Sequence, residues 1–167
     1  MSKLAKDTYF VLVADDSEAD RFLLNAALRK ASRLKIIGEV ADGVETVAYL
    51  KGHANSRDRE KFPLPDLLLL DLKMPLMDGF EVLEWLQTQP FTNLTVVVLT
   101  DSMQPEHIKR ALDLGADLFQ VKPRTNHDRE AMILALEEYL VGFPLGIKRE
   151  IPPAWVRMSH QPGARIY

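Results

Sequence analysis

Residues 67–79 read LLLLDLKMPLMDG, and this stretch decides the fold. Four consecutive leucines, Leu67 to Leu70, leave no polar face, which suits a strand covered on both sides and not one half-exposed on an antiparallel sheet. A charged residue, Asp71, then ends the apolar run. The pattern recurs. Tyr9 to Ala14 stops at Asp15 and Asp16, Thr95 to Leu99 stops at Thr100, Leu118 to Val121 stops at Lys122, and Leu34 to Val40 supplies a fifth strand. Between these runs apolar residues return at helical spacing: Leu23, Leu24, Ala27, Leu28 and Ala31, then Val82, Leu83 and Leu86, then Ile108, Ala111 and Leu112. Five strands alternating with helices predict an α/β, doubly wound (βα)5 fold. Its sheet is five-stranded and parallel, with right-handed crossovers and helices on both faces. Such a sheet places its site at the carboxyl ends of the strands.

Helix-start signals agree. Ser17 with Asp20 three residues on predicts a capping box, Pro105 suits a first helical turn, and Thr125 with Asp128 opens the last helix. The polar stretch from Gly52 to Lys61 reads as a solvated insertion before the third strand.

At 167 residues, 47% apolar and 27% charged, the chain fits one core and no more. We divide it into an N-terminal extension (1–8), one domain (9–141) and a proline-rich C-terminal tail (142–167) too short for an output domain. Phe143, Leu145, Ile147, Ile151, Trp155 and Tyr167 give that tail apolar anchors, and we expect it to dock on its own body or on a second copy. The net charge of −3, with acids and bases mixed, argues against nucleic acid or a membrane surface as partner. Without cysteine there is no disulfide, thiolate metal site or catalytic thiol. The opening apolar run is too short to span a membrane and is cut by Asp15 and Asp16, so we expect a cytoplasmic protein.

The strand ends carry the chemistry. Asp15, Asp16, Asp71, Thr100 and Lys122 fall on one rim of the predicted sheet. Alone, each has a bland explanation as a helix cap, a turn residue or a solvated side chain. Together they do not. Three converging carboxylates repel one another, and a hard divalent cation such as Mg²⁺ removes that conflict in an all-oxygen site. Lys122 offers a compact positive charge and Thr100 a hydroxyl to phosphoryl oxygens, leaving Asp71 as the nucleophile. Met74 and Met77 read as packing residues, and the four histidines show no metal-ligand spacing.

The runs Val11-Leu-Val-Ala-Asp-Asp-Ser17, Leu70-Asp-Leu-Lys-Met-Pro-Leu-Met-Asp-Gly79, Val97-Val-Leu-Thr100, Gly115-Ala-Asp117 and Val121-Lys-Pro123 resemble the receiver family of two-component signalling, over roughly Tyr9 to Val141. The resemblance implies a flavodoxin-like fold with strand order 2-1-3-4-5. It implies Asp71 as phosphoacceptor, Asp16 as a direct Mg²⁺ ligand, Asp15 as a ligand through water, and the Lys73 backbone carbonyl as a third protein ligand. Thr100 and Lys122 then hold the phosphoryl group. Lys73 and Ser102, each two residues past a site residue, are candidates to tune hydrolysis. The partners implied are a sensor histidine kinase or histidine phosphotransfer protein and a downstream protein target, with a homodimer also open. The resemblance further implies a cis peptide at Lys122-Pro123, aiming the lysine over the pocket.

Two residues carry two readings each. Phe119 is either the family's aromatic switch, moving with Thr100, or a core-edge aromatic. Asp101 stands where the family has a small residue; it either crowds the phosphoryl pocket or turns outward and caps the next helix. Two alternatives to a phosphorylated switch remain. One is a phosphorylation-independent pseudo-receiver. The other is a haloacid-dehalogenase-like phosphatase, whose pattern requires a second Asp where this chain has Lys73.

Overall fold

The computed structural model describes residues 6–52, 59–60 and 63–142, with the backbone of 156–157. Strands β1 (Tyr9–Ala14), β2 (Leu34–Val40), β3 (Leu67–Leu70), β4 (Thr95–Thr100) and β5 (Leu118–Val121) alternate with helices α1 (Glu18–Leu28), α2 (Gly43–Lys51), α3 (Gly79–Gln87), α4 (Pro105–Asp113) and α5 (Asn126–Val141). The five strands pair in parallel in the order 2-1-3-4-5.

Alternation along each central strand divides the core. Leu68 and Leu70 face a cluster with Leu50 of α2, Phe80, Val82 and Leu83 of α3, and Ile108, Ala111 and Leu112 of α4. Leu67 and Leu69 face the other side, with Leu24, Ala27 and Leu28 of α1 and Met132, Ile133 and Leu136 of α5. All four leucines are at most 1% exposed, so the uninterrupted apolar run follows from having helices on both faces. Met74 is buried and Met77 packs at the cluster's edge, as expected of packing residues.

The sheet is larger than predicted. A sixth strand, β6 (Val156–Arg157), pairs antiparallel with β5, setting Phe119 against Val156 and Leu118 against Arg157. The expected five-stranded sheet is therefore a parallel five-stranded sheet with an antiparallel edge, and part of the tail lies on the chain's own body. The physical reason is the unpaired outer edge of β5, whose free backbone donors and acceptors gain partners from any extended segment that reaches them.

Helix starts agree in part. Pro105 occupies the first turn of α4, and the Thr125 hydroxyl accepts from the Asp128 amide at 3.1 Å. At α1 the Ser17 hydroxyl accepts from the Asp20 amide at 3.2 Å, but the Asp20 carboxylate does not return to the cap, so the expected capping box is half formed. The complete box is at α3, between Asp78 and Glu81. Of the predicted insertion, Gly52, Arg59 and Glu60 are described; Arg59 donates to the Leu50 carbonyl, and residues 53–58 and 61–62 lie outside the described set. Residues of the N-terminal extension reach the body, where Lys6 ion-pairs with Asp66 below β3.

Candidate functional site

Register builds the site. Ala14 pairs with Leu70, so Asp15 and Asp71 leave neighbouring strands side by side, and the Asp71 amide donates to the Ala14 carbonyl at 2.9 Å. One carboxylate oxygen each from Asp15, Asp16 and Asp71 lies within 4.8 Å of the others. Asp15 and Asp71 are buried, and Asp16 is exposed at the mouth. Across the β4–β5 pair the Lys122 amide donates to the Thr100 carbonyl at 2.9 Å, joining those two residues at the same rim. Thr100 is 1% exposed.

Gly79 sets the loop after Asp71. Its amide donates to the Leu72 carbonyl at 3.0 Å, and a Cβ here would stand 2.3 Å from the Asp71 carbonyl oxygen. Only glycine lets α3 start this close to the nucleophile. The Lys73 amide donates to Asp71 Oδ1 at 3.2 Å and the Ser17 amide to Asp15 Oδ1 at 2.9 Å, so each buried carboxylate also has a backbone partner.

The Lys122 ammonium reaches three carboxylates: Asp15 Oδ2 at 2.8 Å, Asp20 Oδ2 at 2.9 Å and Asp71 Oδ2 at 3.0 Å. It does so from a trans Lys122-Pro123 peptide, since the described residues contain no cis bond. The expected cis peptide is therefore corrected. A four-carbon stem with freely chosen rotamers places the ammonium without help from the backbone.

Burial dominates the acids' electrostatics. It raises the Asp71 carboxyl above its ordinary value, with Lys122 working against it and Asp15 adding to it. Burial raises Asp15 likewise, opposed by Lys122. For Lys122 burial alone acts downward, but the carboxylates of Asp15, Asp20 and Asp71 outweigh it and leave the ammonium more basic than usual. Two carboxylates that burial makes costly to ionise, beside a third acid, are a set that a hard cation stabilises in the charged form. The donor set, all oxygen with one exposed member, fits such an ion.

Residues 11–134 match the family model described as the response regulator receiver domain. The chain belongs to that family. Among curated relatives, the receiver is 29% identical over 140 residues to the response regulator Rcp1 of Synechocystis, covering 83% of this chain and 93% of that protein. It is 28% identical over 140 residues to a probable methanogenesis regulatory protein, FilR2, of Methanothrix harundinacea, covering 83% and 88%. Among solved structures, the phosphorylated cyanobacterial phytochrome response regulator RcpA superposes with a TM-score of 0.72 at 28% identity, over 80% of this chain and 94% of that one. The Mn²⁺-bound form of Rcp1 follows with 0.68 at 29% identity, over 83% and 99%. The receiver is thus a phosphorylatable domain with an acidic pocket formed by Asp15, Asp16 and Asp71, and not an enzyme acting on an external substrate. No described helix is long and apolar enough to cross a membrane.

The remaining expected residues lie as follows. Lys73 is exposed. Ser102 is half-buried, and its hydroxyl accepts from the Gln104 amide at 3.4 Å. Asp101 is exposed and does not cap α4, whose N-cap is Gln104 without a side-chain bond. Asp101 lies three residues before that N-cap, outside the position from which a side chain reaches the first-turn amides. Phe119 is fully buried, deeper than a core-edge aromatic, in the cluster under α4.

Two residues escaped the sequence reading. The local pattern makes Asp20 a helix-start residue, yet its carboxylate accepts from the Lys122 ammonium. Arg129, on the first turns of α5, is 7% exposed; it donates to the Pro123 carbonyl at 3.1 Å and to the Asn126 side chain at 2.7 Å, bracing the loop that follows Lys122. A buried arginine with neutral partners leaves no local signature beyond an unexpected charge in an amphipathic helix.

Proposed function

We propose that Asp71 accepts a phosphoryl group from the phosphohistidine of a sensor kinase or phosphotransfer protein in a Mg²⁺-dependent reaction, and that the phosphorylated receiver presents a changed surface to a protein target. The observation that carries this is the Lys122 ammonium 3.0 Å from Asp71 Oδ2, inside a cluster of three carboxylates. An Asp71 oxygen attacks phosphorus, the phosphorus–nitrogen bond breaks, and the imidazole leaves with a proton. Asp16, Asp15, Asp71 and the Lys73 carbonyl would hold Mg²⁺, which would supply positive charge to the acids and to the oxygens in transfer. Lys122 turns its charge to the phosphoryl oxygens, and the Thr100 hydroxyl donates to another.

The switch we assign to Thr100 and Phe119. Thr100 is joined to Lys122 through the backbone, and Phe119 packs in the cluster that includes Ile108 and Ala111 of α4. A Thr100 drawn toward the phosphoryl group changes the space available to Phe119, and the α4–β5–α5 face moves with it. Lys73 and Ser102 flank the pocket and modulate hydrolysis. The chain acts as a phosphoacceptor regulator, with Asp101 pointing to solvent and leaving the pocket's mouth open.

The direct test is labelling by acetyl phosphate or a phosphorylated histidine kinase with Mg²⁺. We expect acid-stable, base-labile label on the wild type and none on Asp71→Asn. Equal label on both would reject Asp71. Transfer profiling against histidine kinases and phosphotransfer proteins then identifies the donor.

A further inference from the structure

An ammonium group has three N–H donors, and the Lys122 ammonium hydrogen-bonds Asp20 at 2.9 Å and Asp71 at 3.0 Å and ion-pairs with Asp15 at 2.8 Å. A phosphoryl oxygen that binds Lys122 therefore competes with these carboxylates for its donors. The three are not equivalent. Asp71 is the nucleophile, and its carboxylate loses its charge to the bond it forms with the phosphoryl group it receives. Asp15 belongs to the carboxylate cluster that fits a cation, so its charge is shared once that cation is bound. Asp20 is neither. It sits on the first turn of α1, its side chain is 35% exposed against 3% for Asp15 and 6% for Asp71, and it stands outside the cluster. Its backbone amide already serves the Ser17 cap, which leaves the carboxylate unneeded by the helix.

We infer that Asp20 is a positioning residue that competes with the phosphoryl group for the Lys122 ammonium, and so limits how firmly the phosphorylated state is held; this rests on the phosphoacceptor reading of Asp71. Before transfer, Asp20 keeps the ammonium on the α1 side of the pocket, ready but occupied. After transfer, the ammonium divides its donors between Asp20 and the phosphoryl oxygens. The contact spans 102 residues, so it exists only in the folded receiver.

The test compares Asp20→Asn, Asp20→Glu and Glu18→Gln, each as the full chain. Glu18 is exposed on the same helical turn, so its variant removes one charge without touching Lys122. Two constants are measured by calorimetry for each: that for Mg²⁺ alone and that for beryllofluoride, the phosphoryl mimic, at saturating Mg²⁺. We expect Asp20→Asn to bind beryllofluoride roughly three- to fivefold more tightly, the scale of one partly exposed ion pair. Its Mg²⁺ affinity should be unchanged or weaker, because an acid near the cluster is gone. Asp20→Glu should behave as wild type, and Glu18→Gln should move beryllofluoride binding less than Asp20→Asn does. Equal shifts for Asp20→Asn and Glu18→Gln would reduce the effect to net charge and overturn the inference. Tighter Mg²⁺ binding together with weaker beryllofluoride binding would overturn it as well. If the wild type binds Mg²⁺ but no beryllofluoride, the phosphoacceptor reading fails first and the competition falls with it.

Discussion

The ammonium of Lys122 sits 3.0 Å from Asp71 Oδ2 across 51 residues of chain, set among the acids of the pocket. Because burial raises Asp71 and Asp15 above the ordinary 3.8, the folded chain binds protons there that the unfolded chain has released. Their contribution to stability is therefore most favourable at low pH, declines as pH rises from 3.8 through the raised range, and is unfavourable above it. Lys122, also raised, has the same slope in another window: its stabilising gain is fully present below its ordinary 10.5 and is lost as pH rises above that value. Asp71→Asn should thus raise the melting temperature of the metal-free chain at pH 7, on a scale of about 1 kcal/mol or 2 to 4 °C, and by less near pH 4. Calorimetry at the two pH values checks this; a stabilisation that does not shrink on acidification would contradict it.

Divalent cation should act in the same direction as that substitution. At a concentration ten times its dissociation constant, a cation bound only by the folded state adds about 1.4 kcal/mol. Asp16 is the exposed member of the cluster, so Asp16→Ala should leave the melting temperature without metal nearly unchanged and remove most of the Mg²⁺-dependent increase. An undiminished increase would place the ion elsewhere.

Two glycines should fail for different reasons. Gly79→Ala forces a Cβ against the Asp71 carbonyl at 2.3 Å, and we expect a loss of about 1 to 3 kcal/mol together with weakened Mg²⁺ binding, since the clash moves the site itself. Gly115 has φ of +95 with nothing within 4 Å of a would-be Cβ, so Gly115→Ala should cost about 1 to 2 kcal/mol through backbone conformation alone and leave Mg²⁺ affinity intact. Denaturant melts paired with Mg²⁺ titrations separate the two.

Arg129→Met keeps the stem's volume but leaves the Pro123 carbonyl and the Asn126 side chain without their charged donor. Hydrogen bonds to charged groups are worth about 1.5 to 3 kcal/mol, and we expect a stability loss at the lower end of that range. Phosphorylation by acetyl phosphate should slow as well, because the loop that follows Lys122 loosens. Unchanged stability would mean that water replaces the guanidinium freely.

Deleting residues 143–167 uncovers the outer edge of β5 that β6 occupies. We expect faster amide hydrogen exchange across Leu118–Val121 and a greater tendency to self-associate through the bared edge. Exchange at β5 identical to that of the full chain would mean that the pairing of Phe119 with Val156 does not persist in solution.

Much of the architecture is written in short-range pattern. The ends of β1, β3 and β5 follow from largely apolar runs closed by a charge, because a strand covered on two faces accepts few polar residues, whereas the edge strand β2 carries Lys35 and Glu39. The rim acids and Lys122 were legible for that reason: each stands one or two positions past the end of such a run. α2 was implied only by alternation, since Gly43–Lys51 mixes Thr46 and Gly43 into its buried face.

By itself the sequence determined the strands, the two-faced burial of Leu67 to Leu70 and the convergence of Asp15, Asp16, Asp71, Thr100 and Lys122 on one rim, since period and punctuation are local properties. Tertiary structure alone decided which acids share the lysine. Asp20 obeys the local rule for a capping box, but its carboxylate finds an ammonium 102 residues away, and a charge-assisted bond outweighs a neutral cap. The same holds for the trans Lys122-Pro123 peptide, the depth of Phe119 and the strand that β6 adds to β5. Each depends on what a distant segment places beside the residue, and side-chain reach or a free sheet edge settles it only after the chain has packed.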